Sequence, residues 1–180
     1  MENFKKITEE NFIDYALYNR DNWLTDRVRT FLIGNMCDSD TCLQESLIDC
    51  ESPIEQLLSI EMENLKLENM LSYNPFIDII AIEKQQTIEV KGNKYRVDFL
   101  IPVSYKNQDN RIFIVECDGY EFHQKTKKQV EKDNKRQRDL QEAGYEIIRF
   151  SGTEIYHKPR QCAVAIKNII LSKCKYIKDE

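Results

Sequence analysis

Three acidic side chains fall within or directly after two apolar stretches of this sequence. Asp98 interrupts the apolar run of residues 95–101, and Glu116 and Asp118 follow the apolar residues 112–115. Because strand side chains alternate between faces, Glu116 and Asp118 point to the same side. Two ionised carboxylates about 5 Å apart repel by about 3 kcal/mol at an effective dielectric near 20, and a divalent cation reverses that sign. The three acids therefore predict a Mg²⁺ or Mn²⁺ site able to assist phosphodiester hydrolysis.

Each of these acids also has an ordinary explanation, because carboxylates at strand ends commonly face water. That explanation is weaker for the three together. Asp98 lies inside its predicted strand, and an antiparallel neighbour would bring it beside Glu116 and Asp118. We therefore predict that Asp98, Glu116 and Asp118 bind the cation.

Glu55 and His123 are further candidates for catalysis. Glu55 follows Ser52 by three residues with Pro53 between them, so a helix capping box alone explains it. A first-helix acid can nevertheless reach the active end of a sheet. His123, five residues after Asp118, has the chemistry of a general acid or base or of a phosphate contact, or is an ordinary surface residue.

The elements that must position these residues follow one another as a helix, three strands, a helix, a strand and a final helix. Their approximate bounds are 53–72, 77–90, 95–103, 111–117, 124–143, 145–150 and 163–170. Strand 111–117 is apolar on both faces and so should be central. The long crossover predicts a strand at 145–150 that is parallel to it. We expect a turn at residues 91–94, in which Gly92 and Asn93 both tolerate positive φ, a helix end at Gly144, and a turn at residues 151–153.

The segment between Gln124 and Ala143 carries seven Lys or Arg and four acidic residues, a local net charge of +3 in a chain of net charge −5. Charge runs are usually solvated helix faces, and the mixed signs fit that. The segment directly follows the acids, however, so its cations are placed to hold a nucleic-acid backbone. The residues that we predict to do so are Lys125, Lys127, Lys128 and Arg136.

The composition of the 180 residues, 41% hydrophobic and 32% charged, is that of a globular chain. We predict a helical N-terminal extension at 1–50 and a catalytic domain at 51–180. No stretch is apolar enough for a membrane span, and no secretory signal is evident, so we expect a cytoplasmic protein with reduced thiols. Cys37, Cys42 and Cys50 lack a Cys-x-x-Cys pair and a nearby His, which argues against zinc.

Several short segments together resemble the Vsr-like (very short patch repair-like) branch of the PD-(D/E)XK nuclease superfamily. The resemblance spans about residues 52 to 157 and rests on the order and spacing of segments that are individually weak signals. The segments are Ser52-Pro53-Ile54-Glu55, Gln85 with Ile88, Val97-Asp98-Phe99, Glu116-Cys117-Asp118-Gly119, Phe122-His123, Asp133, Arg136, Leu140, Gly144, Ile148-Arg149-Phe150 and Glu154.

The resemblance implies an α/β protein with a restriction-endonuclease-like αβββαβ core, in which helices flank a mixed central sheet. It implies hydrolysis of DNA with Mg²⁺ or Mn²⁺, with Asp98 and Glu116 as ligands and Glu55 as the first-helix acid. Asp118 stands where the superfamily usually has lysine, although Vsr-like members often have an acid there. The group that activates water is left open between His123, Gln85, a lysine such as Lys125, and the metal alone.

Gln85 joins the predicted nucleic-acid contacts through the same resemblance, and Arg136 is either buried or directed at the site. A protein partner for targeting is possible for so small and acidic a nuclease. Two other functions stay open at this point. One is a catalytically inactive module that binds nucleic acid or protein on the same fold, favoured by the missing lysine and the acidic total charge. The other is a metal-dependent nuclease that acts on RNA.

Overall fold

The computed structural model describes residues 6–8, 11, 47–67, 77–79, 81–105, 109–118 and 126–174. The elements are helix α1 (Pro53–Leu67), strands β1 (Ile77–Ile79), β2 (Glu83–Val90), β3 (Asn93–Tyr105) and β4 (Asp109–Asp118), helix α2 (Lys127–Glu142), strand β5 (Glu146–Ser151), and helices α3 (Gly152–His157) and α4 (Pro159–Cys174). Within these ranges, no helix combines the length and the apolar character needed to cross a lipid bilayer.

The strands form one mixed sheet in the order β1-β3-β4-β5, and β2 also pairs with β3. Strands β1, β2 and β4 run antiparallel to β3, whereas β5 runs parallel to β4 after the α2 crossover. This arrangement confirms the predicted α/β class and the central position of β4. The first predicted strand is instead two strands, because β1 and β2 pair with different parts of β3.

Local backbone chemistry explains most element boundaries. Val90 pairs with Asn93, which leaves a two-residue hairpin loop in which Lys91 and Gly92 have φ of 52° and 75°. The predicted turn is thus confirmed, and positive φ falls on Lys91 and Gly92 because a two-residue hairpin loop requires it at its two central residues. Gly144 has φ of 90° just past the end of α2, as predicted.

The turn predicted at residues 151–153 was wrong, because the short helix α3 begins there. The Ser151 side chain accepts a hydrogen bond from the Glu154 backbone N–H and so caps that helix. At the start of α2, Thr126 and Gln129 exchange hydrogen bonds in a capping box. Neither cap was predicted from the sequence, because the helix before Gly144 was expected to start at 124 and residues 151–153 were expected to form a turn.

Apolar clusters lie on both sides of the sheet. The larger includes Phe113 and Val115 of β4 together with residues of α1, α3 and α4. The smaller joins Ile114 of β4 to Leu140 of α2. Successive side chains of β4 thus enter opposite clusters, which confirms that this strand is buried on both faces.

Residues that precede α1 also contribute to the larger cluster, since Ile7 and Leu47 are buried in it. The buried side chain of Gln56 on α1 ties both to the domain. It accepts from the Ile7 N–H at 2.6 Å and donates to the carbonyl oxygens of Ile7 and Leu47 at 2.7 and 3.2 Å. The helices predicted within 1–50 lie almost wholly outside the described residues, and the division at residue 50 stays a prediction.

We expect Gln56→Leu to lower the free energy of unfolding by about 2–4 kcal/mol, because the buried Ile7 loses the partners of its N–H and its carbonyl oxygen, and Leu47 O keeps only its bond from the Cys50 N–H. Urea denaturation measures the change. Gln141→Leu, at an exposed position of α2, is the matched control and should shift stability by no more than about 0.5 kcal/mol. Equal effects of the two substitutions would contradict this account of Gln56.

Candidate active site

A row of four polar side chains crosses the sheet where β3 and β4 stop pairing. The ladder pairs on either side of Gln85 leave it opposite Asp98. The last pair between β3 and β4 leaves Asp98 opposite Glu116, and Glu116 pairs in parallel register with Arg149 of β5. These registers bring the four residues side by side across the sheet, and the carboxylates of both Glu55 and Glu116 act on the pKa of Asp98.

The side chain of Asp98 binds a backbone group of β4 just beyond the last backbone pair between β3 and β4. Its Oδ2 accepts a hydrogen bond from the Cys117 N–H at 2.7 Å. Burial is the main cause that raises the pKa of Asp98 from 3.8 to about 6, and the carboxylates of Glu55 and Glu116 raise it further. The Cys117 N–H bond and Arg136 oppose this shift. Asp98 is thus a partly buried acid inside β3, as its position in the apolar run predicted.

Glu116 is 5% exposed and is held by two guanidinium groups from different elements. Its Oε1 lies 2.5 Å from Arg136 Nη2 of α2, and its Oε2 lies 2.8 Å from Arg149 Nη2 of β5. The Arg136 Nη2 donates its hydrogen bond to the Arg96 carbonyl oxygen at 2.6 Å. Oε1 is therefore in a close ion pair but has no hydrogen-bond partner among the described residues.

Glu55 both caps α1 and reaches the row. Its backbone N–H donates to Ser52 Oγ at 3.3 Å, which is the predicted N-cap bond, and its Oε1 accepts from the Ser52 hydroxyl at 2.6 Å in place of the Ser52 N–H of a full capping box. Its Oε2 accepts from the Glu51 N–H at 2.8 Å and from Gln85 Nε2 at 2.6 Å. The two explanations of Glu55 considered from the sequence are therefore compatible.

Gln85 has an unusual backbone for a residue within a strand, with φ of 51°. The left-handed region costs a non-glycine residue about 1–2 kcal/mol, and such strain concentrates at functional sites. While Nε2 of Gln85 binds Glu55, its Oε1 is buried without a hydrogen-bond partner among the described residues. A strained residue therefore presents an unused acceptor beside Asp98.

Comparing two substitutions isolates this backbone strain. We expect Gln85→Gly to be more stable than Gln85→Ala by about 1 kcal/mol, because both lack the amide and only glycine adopts positive φ freely. In an ordinary strand the order reverses, so the same pair at the exposed Thr87 of β2 should favour alanine. Thermal denaturation of the four variants measures both differences in stability. If the alanine variant is the more stable one at both positions, the backbone strain at Gln85 is contradicted.

The other predicted residues are placed as follows. Asp118 is partly exposed at the end of β4, opposite Ser151 of β5. Lys127 and Lys128 are exposed in the first turn of α2. His123, Lys125 and the cysteines at 37 and 42 lie outside the described residues. The structure thus gathers Glu55, Gln85, Asp98, Glu116 and Arg136, and leaves Asp118 two residues further along its strand.

Arg149 is the site residue whose role the sequence reasoning missed. It appeared there only as part of a matched segment. The available signal was the parallel crossover, which puts one position of the strand at 145–150 beside Glu116. Without the register between β4 and β5, however, no residue of that strand could be singled out.

The donor set fits a hard divalent cation by chemical type. Asp98 and Glu116 supply carboxylates on adjacent strands, and Gln85 Oε1 is a buried acceptor without a hydrogen-bond partner in the described part of the chain. Oxygen ligands of this kind suit Mg²⁺ or Mn²⁺. Among the described residues, no group of three or more His, Cys, Asp or Glu side chains is arranged to hold a metal, so Asp98, Glu116 and Asp118 stay predicted ligands.

Comparisons with known proteins bear on the identity of this site. The family model described as REase_MTES_1575, a restriction endonuclease-like family, matches residues 78–170, which is just over half of the chain. No curated protein and no solved structure matches significantly. The matched range contains Gln85, Asp98, Glu116 and both arginines, and leaves Glu55 outside. The chain therefore belongs to this restriction endonuclease-like family and carries a nuclease domain of the PD-(D/E)XK type.

Proposed function

We propose that this protein is a Mg²⁺- or Mn²⁺-dependent endonuclease that hydrolyses DNA phosphodiester bonds. The observation that carries the proposal is the placement of Asp98 and Glu116 opposite each other on β3 and β4, with Glu55 reaching the same row through Gln85. Hard oxygen donors in a partly buried setting are the usual means of holding such a cation beside a phosphate. Membership in a restriction endonuclease-like family supports the same chemistry.

In this proposal Asp98 and Glu116 hold the cation. When bound, the divalent cation supplies positive charge beside the scissile phosphate and lowers the pKa of water in its coordination shell. Gln85 cannot act as a base, because an amide does not take up a proton near neutral pH. Its free Oε1 can accept a hydrogen bond from the attacking water, while Nε2 is fixed on Glu55.

The residues proposed to contact the DNA backbone lie on α2. Lys127 and Lys128 are exposed on its first turn, and Arg136 lies two turns later beside Glu116. Backbone contacts of this kind orient a duplex without reading its sequence. His123 and Lys125 remain candidates for phosphate contact or proton transfer on the strength of the sequence alone, as does Asp118 for the metal.

A catalytically inactive binding module is the second candidate function. The specific observation in its favour is that both oxygens of Glu116 are already next to guanidinium groups, so this carboxylate has compensating charge without a cation. Asp118 in the usual lysine position points the same way. A nuclease for RNA differs from the first proposal only in its substrate. Vsr-like specificity, a targeting partner and a cytoplasmic location stay predictions.

A substrate panel separates these functions. Purified protein is incubated with supercoiled plasmid, linear duplex, single-stranded DNA and structured RNA, with Mg²⁺, with Mn²⁺ or with EDTA. The proposal expects cleavage of DNA that EDTA abolishes. Cleavage of RNA alone would instead support the ribonuclease. Tight nucleic-acid binding without cleavage in any cation would support the binding module.

A further inference from the structure

The two arginines beside Glu116 are more accessible than the carboxylate that they hold. The side chains of Arg136 and Arg149 are 25% and 26% exposed, whereas that of Glu116 is 7% exposed. The arginines are therefore the more exposed members of this group of three residues. Two positive charges face one negative charge, so the cluster of three residues carries a local net charge of +1.

This cluster is not a saturated structural ion pair. Buried ion pairs are stabilising only when hydrogen bonds satisfy the remaining donors and acceptors. Here Arg149 Nε and Glu116 Oε1 are buried without hydrogen-bond partners among the described residues. Guanidinium groups bind carboxylate and phosphate with the same planar arrangement of donors. These two arginines, each about a quarter exposed, thus have the donor arrangement that binds an incoming phosphate.

The same contacts compete with a cation. A divalent ion that binds Glu116 must approach a carboxylate whose charge is already compensated on both oxygens. Like charges a few ångströms apart repel strongly in a partly buried site. Moving one guanidinium onto a phosphate would release a Glu116 oxygen and remove part of that repulsion. Binding at the two positions would then be linked and reciprocal.

We propose that Arg136 and Arg149 bind a DNA phosphate at the active site, and that in the DNA-free protein they hold Glu116 and keep its affinity for divalent cations low. This inference rests on the proposed function, because it assigns a DNA phosphate and a cation to the same site. Neither arginine needs to take part in proton transfer. Arg149 is a phosphate-binding residue in this account, and its charge also sets the affinity for the cation.

Measuring the affinity for Mn²⁺ in the absence of DNA tests the inference independently of nuclease activity. We expect Arg149→Gln and Arg136→Gln each to tighten Mn²⁺ binding by about tenfold or more, measured by calorimetry or by the paramagnetic resonance of free Mn²⁺. Arg138→Gln, at an exposed position of the same helix, removes the same charge away from Glu116 and is the matched control. It should change Mn²⁺ affinity by less than about twofold.

The affinity for DNA in the presence of EDTA is the second measurement. Fluorescence anisotropy with a short duplex should show that Arg149→Gln weakens binding and lowers the slope of log affinity against log salt by about one. Arg149→Lys retains the charge but not the planar donors, so we expect it to keep the Mn²⁺ affinity close to that of the parent and to bind DNA with an affinity between those of the parent and Arg149→Gln. This variant separates charge from folding, and urea denaturation of each variant checks that the fold persists.

The outcomes distinguish this inference from the proposed function. Unchanged or weaker Mn²⁺ binding in both glutamine variants overturns the inference, even if the parent protein cleaves DNA. Tighter Mn²⁺ binding together with weaker DNA binding supports it, even if the parent cleaves nothing and the nuclease proposal fails. Equal Mn²⁺ tightening in Arg138→Gln would reduce the effect to general charge and would also overturn the inference.

Discussion

Asp98→Asn is expected to abolish Mg²⁺-dependent cleavage of DNA, with a loss of about 10²–10³-fold or more, while it makes the protein more stable at neutral pH. The activity falls because an amide replaces one of two carboxylates proposed to hold the cation. The amide keeps the size of the side chain, and its oxygen can still accept the Cys117 N–H bond. Loss of activity with a gain in stability is characteristic of a group held in place for function.

The gain in stability follows from the pKa of Asp98, which burial raises from 3.8 to about 6. The folded state binds this proton more tightly than the unfolded state, so stability is highest below pH about 4 and falls as pH rises to about 6. Above that range the ionised group costs up to about 3 kcal/mol, and less where water screens it. Asp98→Asn should therefore exceed the parent in stability at pH 7 and match it near pH 4.

Plasmid cleavage and urea denaturation at pH 4 and pH 7 measure the two effects of Asp98→Asn. Glu89→Gln, at an exposed position of β2, is the control and should leave cleavage unchanged and stability within about 0.5 kcal/mol. Full activity of Asp98→Asn would remove this residue from the metal site. A stability loss at pH 7 would show that its charge is compensated in the folded protein.

Glu116→Gln should have the opposite effect on stability, a loss of about 2–4 kcal/mol. Removing one partner of a buried ion pair leaves uncompensated charge, and here two guanidinium groups lose their common carboxylate. The arginine side chains are about a quarter exposed, so the cost should fall short of that for a fully buried pair. Cleavage of DNA should be lost as well, because Glu116 is the second proposed ligand.

A double-mutant cycle identifies the source of this loss. Arg149→Gln combined with Glu116→Gln should recover part of the stability, since one unpaired guanidinium is then absent. Glu142→Gln is the control for an ordinary surface pair, because Glu142 and its partner Lys91 are both more than half exposed. Its cost should stay within about 1 kcal/mol. Additive effects of the Glu116 and Arg149 substitutions would contradict the coupling.

The order of the elements was predictable because its signals are local in the chain. The two-faced apolar run of β4 and the glycine at 144 each depend on a few neighbouring residues. The errors arose where a local signal was ambiguous. Helix α3 is only six residues long, and its Ser151 cap reads equally well as a turn. Lys91 adopts positive φ only because the register of the hairpin leaves two residues in the loop.

The acids of the site were predictable for a similar reason. An ionisable group in an apolar strand is anomalous in the sequence itself, which singled out Asp98 and Glu116, and Glu55 stood out as an acid at the start of the first helix. Contacts between distant segments were not predictable from the sequence. The bond from Gln85 to Glu55 and the ion pair from Arg149 to Glu116 join residues that are 30 and 33 positions apart. The pattern of residues within one segment does not indicate which distant residue a side chain will contact.

By itself, the sequence determined an α/β chain with a central apolar strand, a basic crossover helix and acids within or directly after apolar strands. Each of these features follows from side-chain type and periodicity along one segment. The tertiary structure alone decided that Glu116 is held by two arginines and that Gln85 has a strained backbone and binds Glu55. These depend on strand register and crossover geometry, which the whole fold determines.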